Sequence, residues 1–585
     1  MARPYDPGHQ MPTEPPHAGR QTLGPGAPRA AGMLIRAGPP MTSRETLPDA
    51  AHLPVRAGAG GPIAVILAGG LGTRMRSDLP KLLHPLCGRP MLAYVLDAAR
   101  AATGRDPVVV TSPATAAVRD AFPAGVAFAL QGRPDGSGDA LRAALAAVPA
   151  DAAEIVVLNG DIPLIDARLV TGVLGARRTA GAAIAIVSFE AWEPGALGRV
   201  IRMPDGERVA RLVEAKDALA EELIVSEVNA GLYAFDARWL RAAIGLLTPS
   251  PTTGEYYVTQ LVDLAVADGR AVVAHEAPDD GTLDGINDRA QLAEATAMLR
   301  ERINLAWLRA GVTMHDPATA YVDADVELSR DVTLEPNVIL LGRTRGGEGS
   351  RIGAGSQIAD SDVGPRCRVW ASVLERATVE EGTTIGPFSH LRSGSSIGPD
   401  VQLGNFAEVK NSRLERGVKQ HHMSYLGDAH IGAGTNVGAG TITANYDGVR
   451  KHHTEIGERV FLGVDTMLRA PVTLGDGAKT GAGAVVTHDV PAGMLAVGVP
   501  ARIREIRPPE GVPAPGAAAQ TRAGADDRAR AGADDRARAG ADDGARAGAD
   551  DGAHAGADAD VPARPADRSG PGADVVADSP ATPDR

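Results

Sequence analysis

In the C-terminal half of the chain, apolar residues recur every six positions. Ile385, Leu391, Ile397, Leu403 and Val409 set the phase. It returns at Ile431 and Val437, and again at Ile456, Leu462, Leu468, Leu474 and, past Thr480, Val486. This period fits neither an α-helix nor an alternating strand. It fits a three-sided β-helix, where each short strand buries one aliphatic side chain before the chain turns a corner. Glycine follows many of these residues, as at Gly386, Gly398, Gly432, Gly438 and Gly457, and is expected there because it tolerates positive φ. The phase breaks between Val409 and Ile431, across Lys419-Gln-His-His-Met-Ser-Tyr425. A loop protruding from the β-helix is expected there, and such loops carry binding or catalysis.

Residues 62–288 follow another pattern. Apolar runs at Ile63–Leu67, Val108–Val110, Ile155–Leu158 and Ala183–Val187 predict strands, and Met91–Ala102 and Ala140–Ala147 predict helices. Their alternation implies an α/β domain with a largely parallel sheet. Residues 289–311 predict a linking helix with Leu292, Ala295, Leu299, Ile303 and Ala306 along one stripe, before a β-helix over residues 312–507. Residues 1–61 are rich in Pro, Gly, Ala and Arg, and residues 508–585 carry an eight-residue repeat that begins at Thr521. Neither segment has an apolar stripe to offset the entropy of ordering, so both are expected to be disordered.

Composition narrows the picture. Aromatics are only 3% of the chain, so the cores must be aliphatic. A net charge of −13 argues against non-specific binding to nucleic acid. Cys87 and Cys367 stand far apart, which leaves no disulfide framework and no zinc spacing. No run reaches the ~18 apolar residues of a membrane helix, and no signal-peptide core precedes Ile63. A cytoplasmic protein without membrane insertion is expected.

Candidate chemistry begins directly after the first predicted strand, in Leu67-Ala-Gly-Gly-Leu-Gly-Thr-Arg-Met75, with Lys81 beyond it. Three glycines let the backbone approach a phosphate chain and present N–H donors to it. Arg74 and Lys81 add the positive charge that a phosphoryl-transfer transition state needs. A glycine-rich turn alone is also a common structural device; the Arg and Lys at these offsets set this one apart. It is neither a Walker loop nor a spaced Rossmann fingerprint.

Further motifs follow in order: Gln131, Gly136-Ser137-Gly138, Asn159-Gly160-Asp161, Gly198-Arg199, Glu214-Ala-Lys-Asp217, Glu227-Val-Asn229, Gly254-Glu-Tyr-Tyr257 and Gly285-Ile-Asn287. With the glycine loop they resemble the uridylyltransferase half of the bifunctional N-acetylglucosamine-1-phosphate uridylyltransferase/glucosamine-1-phosphate acetyltransferase family. His422 in His-x-x-Tyr-Leu-Gly-Asp, with Arg392, Lys410 and Asn445-Tyr446, resembles the acetyltransferase half. The resemblance covers about residues 62–505. It implies a Rossmann-like α/β nucleotidyltransferase domain with a mainly parallel sheet, followed by a left-handed parallel β-helix of hexapeptide repeats. It also implies a homotrimer with acetyl sites between neighbouring β-helices.

The same resemblance implies roles. Leu67, Ala68, Gly69, Gly70 and Gln131 would hold the uridine nucleotide, with Gly136 and Ser137 near its base. Arg74 and Lys81 would stabilise charge on UTP and the leaving pyrophosphate. Asp161 and Asn287 would bind Mg²⁺, Asn287 touching the nucleotide as well, and Gly198, Glu214 and Asn229 would contact the N-acetylhexosamine. His422 would be the general base of acetyl transfer, since histidine ordinarily titrates near ~6.5, and Glu408 would orient it. Arg392 and Lys410 suit the sugar phosphate, and Tyr425, Asn436 and Asn445 suit sugar hydroxyls. Ala439, Asn445, Tyr446, Val464 and Ala482 would mark the acetyl-CoA edge. Three departures from the family pattern stand out: Ser137 for a Thr, Val464 for a Ser, and Gln420-His421 for a small pair.

The implied enzyme acetylates glucosamine 1-phosphate from acetyl-CoA and then couples the product to UTP. A rival reading makes the β-helix a scaffold beneath a lone nucleotidylyltransferase. Taken without the family, Asp161 also fits a turn cap and His421 a solvated turn.

Overall fold

The structure is a computed structural model in which residues 60–505 are described; the readings made for the segments on either side lie outside the described residues. The main path of the N-terminal sheet runs Val272–Glu276, Ile184–Glu190, Glu227–Asp236, Glu154–Asn159, Ile63–Leu67, Val108–Thr111, Ala127–Leu130. Neighbours pair in parallel except Glu227–Asp236, which is antiparallel on both sides. Helices Met91–Thr103 and Ala167–Ala180 cover one face, packing Leu92, Leu96, Val170 and Leu174 on Ile66, Val156 and Leu158. Helices Ser137–Ala144, Ala237–Ala243 and Gln260–Ala267 cover the other. With both faces covered, the central strands are aliphatic throughout, which is why they were legible as runs. The helix expected from Ala140 starts at Ser137, because Gly136 at φ 107 turns the chain there.

Two features position a site at the carboxyl ends of the central strands, where open α/β sheets bind ligands. Leu67 and Asn159 lie opposite each other at those ends. The strand Glu227–Asp236 shifts register between Asn229 and Tyr233, a bulge that re-aims its side chains.

Helix Arg289–Arg309 joins the two domains by giving each one half. Leu292, Ala295, Met298 and Leu299 pack on the α/β core, and Ile303, Trp307 and Leu308 on the β-helix core. The expected stripe holds as far as Ile303. Ala306 is exposed and Trp307 buries instead, because the partner changes along the axis.

From Thr313 the chain winds into three parallel sheets, in which every third strand pairs. The sheets begin at Thr313–Met314, Tyr321–Val322 and Glu327–Leu328. Every aliphatic residue of the six-residue phase is buried inside the coil. Two expectations change. The phase does not break after Val409: it continues inward through Leu414, Gln420 and Leu426 to Ile431. Five-residue steps and one polar inward residue conceal it. Each short step, as from Val409 to Leu414 and Leu426 to Ile431, contains a non-glycine residue in the left-handed region, here Asn411 (φ 45) and Asp428 (φ 51). His421–Met423 is therefore an ordinary corner, and the projecting loop is 445–453, between Ala444 and Thr454.

Of the glycines that follow inward residues, Gly386 takes the expected positive φ, at 112, but Gly398, Gly432, Gly438 and Gly457 do not and have a different cause. Gly438 is not in the positive-φ region; a Cβ on it would lie 2.6 Å from the carbonyl carbon of Gly463 in the next coil. Close stacking of coils demands it. The described chain ends in an antiparallel hairpin, Met494–Val497 with Arg502–Glu505.

Candidate active sites

The glycine loop turns at Gly72, φ 61, and a Cβ there would sit 2.6 Å from the Cβ of Lys81. Only glycine lets the loop close on that lysine. Lys81 Nζ then lies 2.6 Å from Asp161 Oδ2 and 3.3 Å from Asn287 Oδ1, and Arg74 Nη2 donates to the same Asn287 oxygen at 3.1 Å. Four residues from three separate stretches thus converge. Asp161 is held from behind, its carbonyl accepting from Ile286 N at 2.9 Å, which ties it to the Asn287 segment. One carboxylate and one amide oxygen converging on a cationic group form a hard-oxygen pair of the kind Mg²⁺ takes alongside phosphate oxygens and water.

Beside this cluster opens a cavity of about 490 Å³. Leu67, Ser137, Asp161, Gly198, Glu214, Asn229 and Asn287 line it, as do Asn159 of the Asn159-Gly160-Asp161 motif and Phe189 and Tyr233, which sequence reasoning did not single out. The bulge presents Asn229, whose Nδ2 donates to Tyr233 Oη at 2.6 Å and whose N–H donates to Gly198 O at 2.9 Å. Burial pushes the Glu214 carboxyl above its usual range, opposed by the Thr259 hydroxyl donating to it at 3.0 Å. Ser137 Oγ accepts from Val258 N at 3.0 Å, so the Thr-to-Ser departure keeps its working hydroxyl.

Ala68, Gly69, Gly70, Arg74, Lys81, Gln131 and Gly136 lie outside that lining. Gln131 acts as a tie: its Nε2 donates to Gly136 O (3.1 Å) and Asp139 Oδ2 (2.8 Å), while Ser112 Oγ donates to Gly69 O (2.9 Å). Ser112 thus holds the glycine loop and Gln131 holds the Gly136 turn.

On the β-helix a second cavity of about 620 Å³ runs along one corner. Stacked corner residues Gly438-Ala439, Gly463-Val464 and Gly481-Ala482 form its wall, with His421, His422, Asn436 and Phe461. Small side chains and exposed backbone make a slender slot suited to an extended thioester arm. Val464 is half exposed and offers only methyl groups where a hydroxyl was expected.

Arg392, Glu408, Lys410 and Tyr425 do not line this slot. They sit on the adjoining sheet, Glu408 opposite Tyr425 and Lys410 opposite Gly427. The expected Glu408–His422 contact is replaced: Glu408 Oε1 accepts from Arg392 Nη1 at 3.0 Å. Arg392 lies close enough for a full ion pair, whereas among the described residues the His422 ring makes no hydrogen bond. Lys451, in the projecting loop, was missed by sequence reasoning. It stands within hydrogen-bond reach of Lys410, and with Arg392 it holds the Lys410 ammonium below its usual range. Three cations facing one another call for an anion. Asn445 Nδ2 binds Asp428 Oδ2 at 2.5 Å, and Tyr446 Oη donates to Gly448 O at 2.6 Å, so both anchor that loop.

Comparison with known proteins agrees with this division. Residues 64–225 match the MobA-like NTP transferase domain family, and residues 453–488 match the bacterial transferase hexapeptide family. The chain is 44% identical over 444 residues to the bifunctional protein GlmU of Kineococcus radiotolerans, covering 75% of this chain and 90% of that one. It is 42% identical over 437 residues to that of Pelobacter propionicus, covering 74% and 95%. To that of Mycobacterium bovis it is 41% identical over 446 residues, covering 75% and 90%. With such identity across nearly the whole length of these relatives, and with both sites present, the chain belongs to the family of the bifunctional protein GlmU.

Proposed function

We propose that this chain makes UDP-N-acetylglucosamine in two steps at two separate sites. The observation that carries the reading is two separate cavities, one lined by Asp161, Asn287, Glu214 and Asn229 beside Arg74 and Lys81, the other lined by His422 and Asn436 with Arg392 and Lys410 on the adjoining sheet. In the first step the amine of glucosamine 1-phosphate attacks the thioester carbonyl of acetyl-CoA. A C–N bond forms, the C–S bond breaks, and His422 takes the amine proton and returns it to the departing sulfur, so that CoA leaves as the thiol. Arg392, Lys410 and Lys451 receive the sugar phosphate, Tyr425, Asn436 and Asn445 its hydroxyls. Ala439, Asn445, Tyr446, Val464 and Ala482 flank the thioester.

In the second step a phosphate oxygen of N-acetylglucosamine 1-phosphate attacks the α-phosphorus of UTP and pyrophosphate departs. No side-chain nucleophile is required, so catalysis is positioning plus charge stabilisation. Leu67, Ala68, Gly69, Gly70, Gln131, Gly136 and Ser137 seat the nucleotide; Gly198, Glu214 and Asn229 seat the sugar. Arg74 and Lys81 meet charge on the phosphates. Asp161 and Asn287 supply the oxygens for Mg²⁺, which when bound neutralises phosphate charge.

A homotrimer fits the β-helix surface. Phe388 and Phe406 stack with centroids 5.4 Å apart while 60% and 58% exposed, on the corner that leads to His422. Such an exposed aromatic ladder marks a surface that another subunit covers. Among the described residues no helix is long and apolar enough to cross a membrane; a cytoplasmic location is part of the same proposal.

The test is to supply glucosamine 1-phosphate, acetyl-CoA, UTP and Mg²⁺ and identify products by mass spectrometry. UDP-N-acetylglucosamine with free CoA is the expected result. Product formed only from added N-acetylglucosamine 1-phosphate would reduce the β-helix to a scaffold.

A further inference from the structure

Around the acetyl site the inward column of the β-helix is aliphatic except at Gln420 and Thr480, and Gln420 lies directly before the corner that carries His422. Gln420 is fully buried between Leu414 and Leu426, at a position whose neighbours in the column are Leu403 and Val437. Its Oε1 has no hydrogen-bond partner, so the amide is held there at a cost in solvation that a leucine would not incur. The other end of the amide is used. Nε2 donates to Ser424 Oγ at 2.8 Å and leans on Ser424 O at 3.4 Å; since a carbonyl can only accept, this contact fixes which way the amide points. With its lone pair engaged, the Ser424 hydroxyl donates to His422 O at 2.9 Å.

We infer that Gln420 and Ser424 form a buried clamp that holds the His421–Met423 corner from beneath and positions His422 over the acetyl-transfer slot. Both are positioning residues; neither reaches the cavity lining. The clamp matters because among the described residues the imidazole has no side-chain hydrogen bond of its own, Glu408 being engaged by Arg392. Its placement is therefore set through its backbone. The neighbouring His421 is tethered separately, its Nε2 meeting Gln402 Oε1 at 2.8 Å, so the corner is pinned on both sides of His422. The neighbouring positions of the column pack aliphatic side chains, Ile385, Leu403 and Val437, so packing alone does not require an amide at Gln420.

This inference rests on His422 being the base of acetyl transfer, and the test separates the two. The intact protein and its H422A, Q420L, S424A and S424T variants are assayed for acetyl transfer to glucosamine 1-phosphate, with uridylyl transfer to N-acetylglucosamine 1-phosphate and thermal melting measured in parallel. A displacement of the base on the order of 1 Å lowers kcat roughly 10- to 100-fold. That loss is expected in Q420L and S424A, with KM for both acetyl-site substrates changed less than about twofold, uridylyl transfer unchanged and the Q420L melting temperature equal to or above that of the parent. S424T keeps the hydroxyl and should restore kcat. Wild-type kcat in Q420L and S424A, with H422A inactive, would overturn the clamp and leave the base in place. Full acetyl transfer by H422A would overturn the base itself, and the clamp with it.

Discussion

At the α/β site, Lys81, Arg74, Asp161 and Asn287 arrive from three separate stretches of chain and satisfy one another. At the β-helix site, Lys410 and Lys451 face each other with Arg392 alongside, and the His422 imidazole stands apart on the neighbouring corner. The first arrangement already brings a carboxylate and an amide oxygen to its cations before substrate arrives. The second is open, holds like charges together, and adjoins an exposed aromatic ladder. The contrast follows from architecture. An α/β sheet gathers loops from distant segments around one crevice, whereas a repeat offers each coil the same corner, so function must sit on exceptions to the repeat.

The sharpest way to break this comparison is to remove one residue from each site. Asp161→Ala should lower uridylyl transfer by about 10²–10³-fold and leave acetyl transfer near normal. His422→Ala should lower acetyl transfer by about 10²–10⁴-fold and leave uridylyl transfer near normal. Separate assays of the two activities check both. Next in size is the column that supports the second site. Ile397 is fully buried, and Ile397→Ala should cost about 2–5 kcal/mol, read as a lowered denaturation midpoint.

A smaller effect tests the cation cluster. Lys451→Gln removes one phosphate partner and should raise KM for glucosamine 1-phosphate about tenfold, or ~1.4 kcal/mol. It also relieves Lys410, whose ammonium is held below its usual range first by Lys451 and then by Arg392. In the parent protein affinity for the sugar phosphate should therefore begin to fall at lower pH than in the variant. A pH profile of KM decides this.

The smallest effect concerns stability. Burial lowers the His430 pKa, but Glu455 at 2.5 Å and Glu415 at 3.2 Å outweigh it, and the folded value is raised. A raised folded pKa gives stability that is complete below the ordinary histidine value and is lost as pH rises through the folded one. Because the side chain is 33% exposed, the contribution should be a few tenths of a kcal/mol. Glu455→Gln should flatten that dependence in denaturation curves taken across the range.

Much of this was readable from residue order. Val, Ile and Leu at a fixed interval can face inward only if the chain turns every six residues, so the β-helix followed from the phase alone. The glycine loop was equally plain, because glycines beside Arg74 and Lys81 have a definite chemistry. What stayed hidden has specific causes. Leu414 and Leu426 belong to the column, but five-residue steps and the amide of Gln420 masked them, so an ordinary corner looked like a loop. Gly438 was assigned to backbone conformation when a neighbouring coil, distant in sequence, is what excludes a side chain. Glu408 was paired with the wrong partner, since nothing in the sequence shows that Arg392 lies one coil below. Lys451 carries no motif; only folding brings it to Lys410.

The central claim is that one chain carries two independent sites linked by a diffusing intermediate. It is tested most directly by mixing. Asp161→Ala and His422→Ala proteins, each alone, are supplied with glucosamine 1-phosphate, acetyl-CoA, UTP and Mg²⁺, and then combined. Neither alone should give more than trace UDP-N-acetylglucosamine, and the mixture should make it readily. A mixture as inactive as its parts, from variants that melt like the parent protein, would contradict the account.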